Sequence, residues 1–239
     1  MEEKQSNLVV AADVTTKREL LALAQKVGPE IALLKTHMDI ITDFDWDLII
    51  QLKQLATTHK FLIIEDRKFA DIGSVVQLQC RDGMYKCAQW ADLVTVHAVC
   101  GLESIKALEM VADDPNATLR GILLISQLSC KGNLIDSNYR NQAIAMAQDS
   151  NFVIGLIAQE SCGDPTLLTF TPGISMSQKG DSLGQQYNSP EHAIHHNGTD
   201  LIIVGRAIYN AADPATATQE YRKIAWDAYK NRRLSEPVS

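Results

Sequence analysis

The sequence contains no apolar run approaching the roughly 18 residues that would span a bilayer. Its first residues, Met1 to Asn7, are polar and lack the apolar stretch of a secretory signal, so a cytosolic protein is expected. A basic stripe is also missing, and the net charge is −7. Nucleic-acid binders draw most of their affinity from neutralising phosphates, so no nucleic-acid partner is expected. A single substrate phosphate remains allowed, because a few local cations and backbone N–H groups can hold one. The five cysteines (Cys80, Cys87, Cys100, Cys130 and Cys162) are odd in number and form neither a CxxC pair nor a zinc spacing. They read as reduced thiols. His37 and His97 have no HxH or HxxE partner, so no metal site is expected. There is no GxSxG elbow and no Walker loop, and Ser126 and Ser129 lack a local histidine, which argues against a nucleophilic serine. Internal repeats and low-complexity segments are absent.

What is present is a series of short apolar runs: Leu8–Ala12, Ile31–Leu34, Phe61–Ile64, Leu93–Val96, Gly121–Ile125, Phe152–Ile157, Leu167–Phe170 and Leu201–Val204. They are continuous rather than alternating, as in strands buried on both faces. Between them lie stretches of helical periodicity such as Thr16–Val27 and Trp46–His59, and Thr16 with Glu19 fits a capping box. Eight strand–helix units in 239 residues predict an α/β fold, a closed (β/α)8 TIM barrel forming one domain over residues 1–239. A doubly wound open sheet is the alternative. The polar stretch Ser175–Ser189 after the seventh run predicts a long loop, and such loops at barrel tops often act as lids.

Polar residues collect where the apolar runs end: Asp13, Lys35, Glu65 to Lys68, His97, Ser126 and Ser129, and Gly205-Arg206. In a barrel these ends share the face that carries active sites. The densest cluster is Glu65-Asp66-Arg67-Lys68-Phe69-Ala70-Asp71-Ile72-Gly73. In an extended segment Asp66 and Lys68, two apart, leave on the same side. A carboxylate beside an ammonium keeps both charged and supplies a fixed dipole and a proton donor. A surface ion pair is the competing reading.

These residues carry a resemblance. The segment Phe61–Gly73 is similar to the signature of the orotidine 5'-phosphate decarboxylase family. Leu33-Leu34-Lys35-Thr36-His37-Met38-Asp39, Gly180–Pro190 (GDSLGQQYNSP) and Ile202-Ile203-Val204-Gly205-Arg206 agree with it in order. The chain looks nearest to the eukaryotic-type members, among them the C-terminal domain of UMP synthase. The resemblance implies a cofactor-free decarboxylase of orotidine 5'-monophosphate, built as a homodimer with shared active sites. Lys35, Asp66 and Lys68 match the catalytic array, and Asp71 matches an aspartate lent by the partner subunit. Asp13 and Lys35 match residues near the ribose hydroxyls, and Ser129 the serine that reads the pyrimidine amide edge. Pro172 matches a further substrate-binding position, and Gln185, Tyr187 and Arg206 match the phosphate grip, with the Gly205 N–H beside it. Two positions depart: the family often has serine where Ala11 stands, and a threonine that the partner subunit lends to the ribose where Val75 stands, so the second change implies the loss of one hydroxyl contact to the ribose.

Two other readings stay open on the residues alone. A related barrel decarboxylase acting on a sugar phosphate through a metal-stabilised enediolate shares the Asp-x-Lys-x-x-Asp pattern, but would need magnesium ligands and no Gly-Gln-Gln-Tyr lid. A catalytically dead barrel that senses a nucleotide would have no need of intact Lys35, Asp66, Lys68 and Asp71.

Overall fold

The computed structural model describes residues 1–177, 180 and 184–235. Eight parallel strands close into a barrel in chain order. They are β1 (Leu8–Ala11), β2 (Leu33–Thr36), β3 (Leu62–Phe69), β4 (Leu93–His97), β5 (Gly121–Ile125), β6 (Val153–Ile157), β7 (Leu168–Thr171) and β8 (Leu201–Val204). Helices α1 (Lys17–Val27), α2 (Trp46–His59), α3 (Gly73–Gln77), α4 (Leu102–Ala112) and α5 (Ser137–Gln148) pack outside, with α6 (Arg206–Tyr209) and α7 (Pro214–Ser235) after β8.

Each strand serves two cores, which is why its run is apolar on both parities. Val9, Leu33, Ile64, Leu93, Leu123, Phe170, Leu201 and Ile203 point into the barrel and form one cluster. Their neighbours Leu8, Val10, Leu34, Ile63, Val94, Leu124 and Ile202 point outward into a second cluster shared with the helices. Thr16 caps α1 as expected: its side chain accepts from the Glu19 N–H while Glu19 returns a bond to the Thr16 backbone.

Four strands end beyond their apolar runs. β4 and β7 do so by one residue, at His97 and Thr171. β2 ends at Thr36 and β3 at Phe69, so both include the polar residues that the run-based boundaries cut off. The β6–β7 connection differs from a regular unit: residues 158–167 form no helix, and the turn-forming Gly163-Asp164-Pro165 fills a crossover too short for one. Between β7 and β8 the described residues include a short π-helix, His192–His196.

The barrel closes between the first strand and the last, with Leu8, Val9 and Val10 paired to Ile202, Ile203 and Val204. The C-terminal helix fastens this closure. Arg222 on α7 bonds the Glu30 carboxylate at 2.7 Å and the carbonyl oxygens of Lys4 and Gln5 at 3.0 and 3.2 Å. Among the described residues no helix is long and apolar enough to cross a membrane.

Candidate active site at the barrel mouth

Strand parity decides which polar side chains reach the mouth. Lys35 follows Leu33 by two residues, Asp66 follows Ile64, and Thr95 follows Leu93, so all three inherit the inward direction of the barrel core. Glu65 and Thr36 have the opposite parity and face the helix layer.

The inward group forms a compact array around one carboxylate. Asp66 Oδ2 lies 2.7 Å from Lys35 Nζ, 2.9 Å from Lys68 Nζ and 3.2 Å from His37 Nε2. Its other oxygen, Oδ1, accepts the Thr95 hydroxyl at 2.7 Å. Asp13 Oδ1 stands 3.7 Å from Lys35 Nζ. The side chains of Lys35 and Asp66 are 8% and 10% exposed, whereas that of Lys68 is 38% exposed, so of the two ammonium groups lining the pocket Lys68 is the more accessible. Burial opposes the charge on Asp66, but Lys35, the His37 hydrogen bond and Lys68 outweigh it and hold the carboxyl well below the usual range. Burial likewise opposes the Lys35 ammonium, and Asp66 and Asp13 outweigh it, so Lys35 stays charged. Burial and the nearby Lys68 ammonium lower His97, which favours its neutral form.

Asp66 and Lys68 do converge, but not through an extended backbone. Lys68 has φ of 51°, in the left-handed region. The β3–β4 register explains this: Glu65 pairs with Val94 and Phe69 with Val96, so the segment between them bulges out of the ladder and re-aims Lys68. A side chain with a Cβ rarely sits there, and such strain concentrates at functional sites.

One pocket gathers Asp13, Lys35, Asp66, Lys68, Ser129, Pro172, Gln185, Tyr187, Gly205 and Arg206, over a floor that includes Ile125, Ile157 and Ile203. Ala11 lines it as well. The Ser129 hydroxyl donates to Gln185 Oε1 at 3.2 Å, and the Arg206 guanidinium lies 5.8 Å from the centre of the Tyr187 ring. The long loop after β7 is tied to the loop after β5 through Gln186 N–H to Ser129 O and Lys131 N–H to Gly184 O. Asp181, Ser182 and Leu183 of its motif lie outside the described residues. Asp71 is the exception among the expected site residues. It does not line the pocket, its carboxylate accepts the Ile72 N–H, and its carbonyl accepts the Ser104 hydroxyl.

Sequence reasoning missed His37 and Thr95 as parts of the array. Both were findable by parity, since each lies two residues from an inward-facing position. Lys35 Nζ, a pure donor, is 2.9 Å from His37 Nε2, so that nitrogen either accepts from Lys35 or, when protonated, donates to Asp66. Among the described residues no group of three or more His, Cys, Asp or Glu side chains is placed to hold a metal ion.

The model of the orotidine 5'-phosphate decarboxylase / HUMPS family matches residues 6–221. The chain belongs to that family. It is 46% identical over 237 residues to the orotidine 5'-phosphate decarboxylase of Mucor circinelloides f. lusitanicus, an alignment that covers 97% of this chain and 88% of the relative. It is also 46% identical over 234 residues to the uridine 5'-monophosphate synthase of Bos taurus, of which it spans 48%. The orotidine 5'-monophosphate decarboxylase of Methanocaldococcus jannaschii, solved with the inhibitor BMP, superposes with a TM-score of 0.70 over 92% of this chain and 98% of its own. At 21% identity that likeness speaks for the barrel fold.

Glu65, the outward neighbour of Asp66, is fully buried. It accepts from the Thr36 hydroxyl at 2.7 Å and from the Met38 N–H at 3.0 Å. Burial outweighs these bonds and pushes its carboxyl from 4.5 up to about 8. In the neutral acid the Thr36 hydroxyl can turn to the Ile64 carbonyl at 3.3 Å and accept the Glu65 proton. A carboxyl that keeps its proton longer when folded makes the folded state the better proton binder between pH 4.5 and about 8. Stability therefore falls as pH rises through that window and levels off above it. Glu65→Gln, always neutral, should flatten this slope. Urea midpoints at pH 5.5 and 8.5 check it: the wild type should lose more stability than the variant between the two, by up to a few kcal/mol. Parallel losses would show that Glu65 ionises normally in the fold.

Proposed function

We propose that this protein decarboxylates orotidine 5'-monophosphate to UMP, the last step of de novo pyrimidine nucleotide synthesis, with no cofactor. The observation that carries this reading is the Lys35–Asp66–Lys68 array, two ammonium groups on one buried carboxylate with Lys68 facing the pocket, in a chain of the decarboxylase family.

The chemistry follows from charge. Breaking the bond from C6 to the carboxylate leaves an electron pair in the ring plane, where the pyrimidine π system cannot delocalise it. The Lys68 ammonium stabilises that carbanion and then transfers its proton to C6, leaving a neutral amine that solvent reprotonates. Asp66 orients Lys68 and keeps it charged, and Lys35 balances Asp66. The array exists before substrate arrives, so little reorganisation is needed as charge develops. Asp13 and Lys35 hold the ribose hydroxyls, and Ser129 reads the pyrimidine amide edge beside Pro172. Arg206, Gln185, Tyr187 and the Gly205 N–H grip the phosphate. Binding energy from that remote group can be expressed in the transition state.

The working unit in this proposal is a homodimer in which Asp71 of the partner subunit completes each array. Two observations support it: Asp71 stays outside its own pocket, and its neighbour Ile72 leaves apolar surface exposed, as do Leu78 and Met110 on the segments that follow β3 and β4. The same reading puts the protein in the cytoplasm, without a nucleic-acid or membrane partner.

Turnover of orotidine 5'-monophosphate, followed by absorbance in excess EDTA, tests the function. Full activity is expected in chelator. Activity lost to EDTA and restored by magnesium would favour the metal-stabilised enediolate reading, and binding of UMP without turnover would favour the sensor reading.

A further inference from the structure

The β3 bulge leaves backbone groups without ladder partners, and one side chain replaces what the ladder lost. Thr95 lies on β4 between Val94 and Val96, the two residues on either side of the register shift. Its side chain is buried on the inward face. The Thr95 hydroxyl donates to Asp66 Oδ1 at 2.7 Å and accepts the Lys68 N–H at 2.9 Å. These directions are fixed by chemistry, since an ionised carboxylate only accepts and a backbone N–H only donates.

We propose that Thr95 is a positioning residue for the decarboxylation: through one hydroxyl it ties the Asp66 carboxylate to the Lys68 backbone and so sets where the Lys68 ammonium stands. This rests on the assignment of Lys68 as proton donor. Asp66 is thereby held at both oxygens, Oδ1 by Thr95 and Oδ2 by the two lysines and His37. The left-handed turn at Lys68 is held where its N–H meets Thr95, on the same residue whose side chain carries the charge. A catalytic ammonium misplaced by about 1 Å loses much of its effect, about a hundredfold in well-studied cases.

Thr95→Val keeps the shape and removes the hydroxyl, whereas Thr95→Ser keeps the hydroxyl. With the wild type turning over orotidine 5'-monophosphate, Thr95→Val should lower kcat about 30- to 100-fold while changing KM, and the inhibition constant of UMP, less than about threefold. Thr95→Ser should stay within about threefold of wild type in both. A Thr95→Val enzyme with near-normal kcat overturns the proposal. So does a loss confined to KM, or a serine variant as impaired as the valine one. Should the valine variant not fold, Thr95→Cys places a weak donor of similar size in the same spot. Its kcat should fall at least about tenfold below that of Thr95→Ser, and equal values overturn the proposal. A crystal structure of the valine or cysteine variant separates this from the function itself. The Lys68 Nζ–Asp66 Oδ2 contact of 2.9 Å should be lost or lengthened. If it is unchanged, Thr95 does not position Lys68, whatever reaction the wild type performs.

Discussion

Lys68→Ala should abolish measurable turnover of orotidine 5'-monophosphate, with kcat reduced about 10⁴-fold or more. A general acid contributes about 10²–10⁴, and a preorganised electrostatic partner a further 10²–10³. Lys68 is asked to be both. KM should change far less, because the phosphate and ribose contacts remain. Asp71→Ala should be severely impaired too, although Asp71 lies outside its own chain's pocket. The decisive experiment mixes the two inactive proteins. A hybrid dimer has one site with neither group and one site with both, namely Lys68 of one subunit and Asp71 of the other. After subunit exchange, one of the two sites in each hybrid should regain wild-type turnover. At random reassortment half of the dimers are hybrids, so about a quarter of the wild-type activity should return. If exchange is demonstrated and activity does not return, the composite site is wrong, and Asp71 acts within its own subunit or through the fold.

The second large effect separates the grip on phosphate from the chemistry. Arg206 opens α6, two residues past the end of β8, with its guanidinium beside the Tyr187 ring, and the loops after the seventh and eighth strands of such barrels commonly form a phosphate site. A guanidinium can bind a phosphate dianion through two parallel charge-assisted bonds. Truncating one partner of such a pair costs about 2–5 kcal/mol. Arg206→Ala should therefore lower kcat/KM for orotidine 5'-monophosphate by about 30-fold to several thousandfold, with a large rise in KM. For orotidine without the phosphate, the same substitution should change kcat/KM little, because the contact it removes was never formed. Equal damage to both substrates would make Arg206 a structural or catalytic group and leave the phosphate site unassigned.

The fold was legible because the barrel has two cores. Residues such as Val9 and Val10 are apolar on consecutive positions, since one faces the barrel interior and the other the helices. The strand ends were not legible from apolarity. β3 runs on through Glu65, Asp66, Arg67 and Lys68 because the site is built from the strand itself. The β6–β7 crossover could have been read as helix-free from its length and its Gly163-Asp164-Pro165 turn. For the site, ten of the expected residues meet in one pocket. The left-handed Lys68 was hidden, because nothing in the local sequence announces a register shift that only the pairing of β3 with β4 creates. Thr95 was hidden for a different reason: it sits inside an apolar run, where a threonine passes as a β-former. Asp71 cannot be read from one chain's geometry at all if its partner is a second copy.

The pairing of β1 with β8 has a consequence for how the chain is made. Leu8 meets Ile202, so the first strand synthesised waits for the last. At ribosomal rates of about 5–20 residues per second that wait lasts about 10–40 s, during which the outer edge of β1 offers unpaired N–H and C=O groups to any passing strand. Closing so distant a contact is slow in itself, because the loop entropy is lost before the contact rewards it. Arg222, emerging later still, bonds Lys4, Gln5 and Glu30 and fastens the seam only after β8 has been made. The barrel is therefore most exposed to mispairing while β1 and β8 are still apart, and a ribosome stalled short of β8 releases an open sheet rather than a barrel.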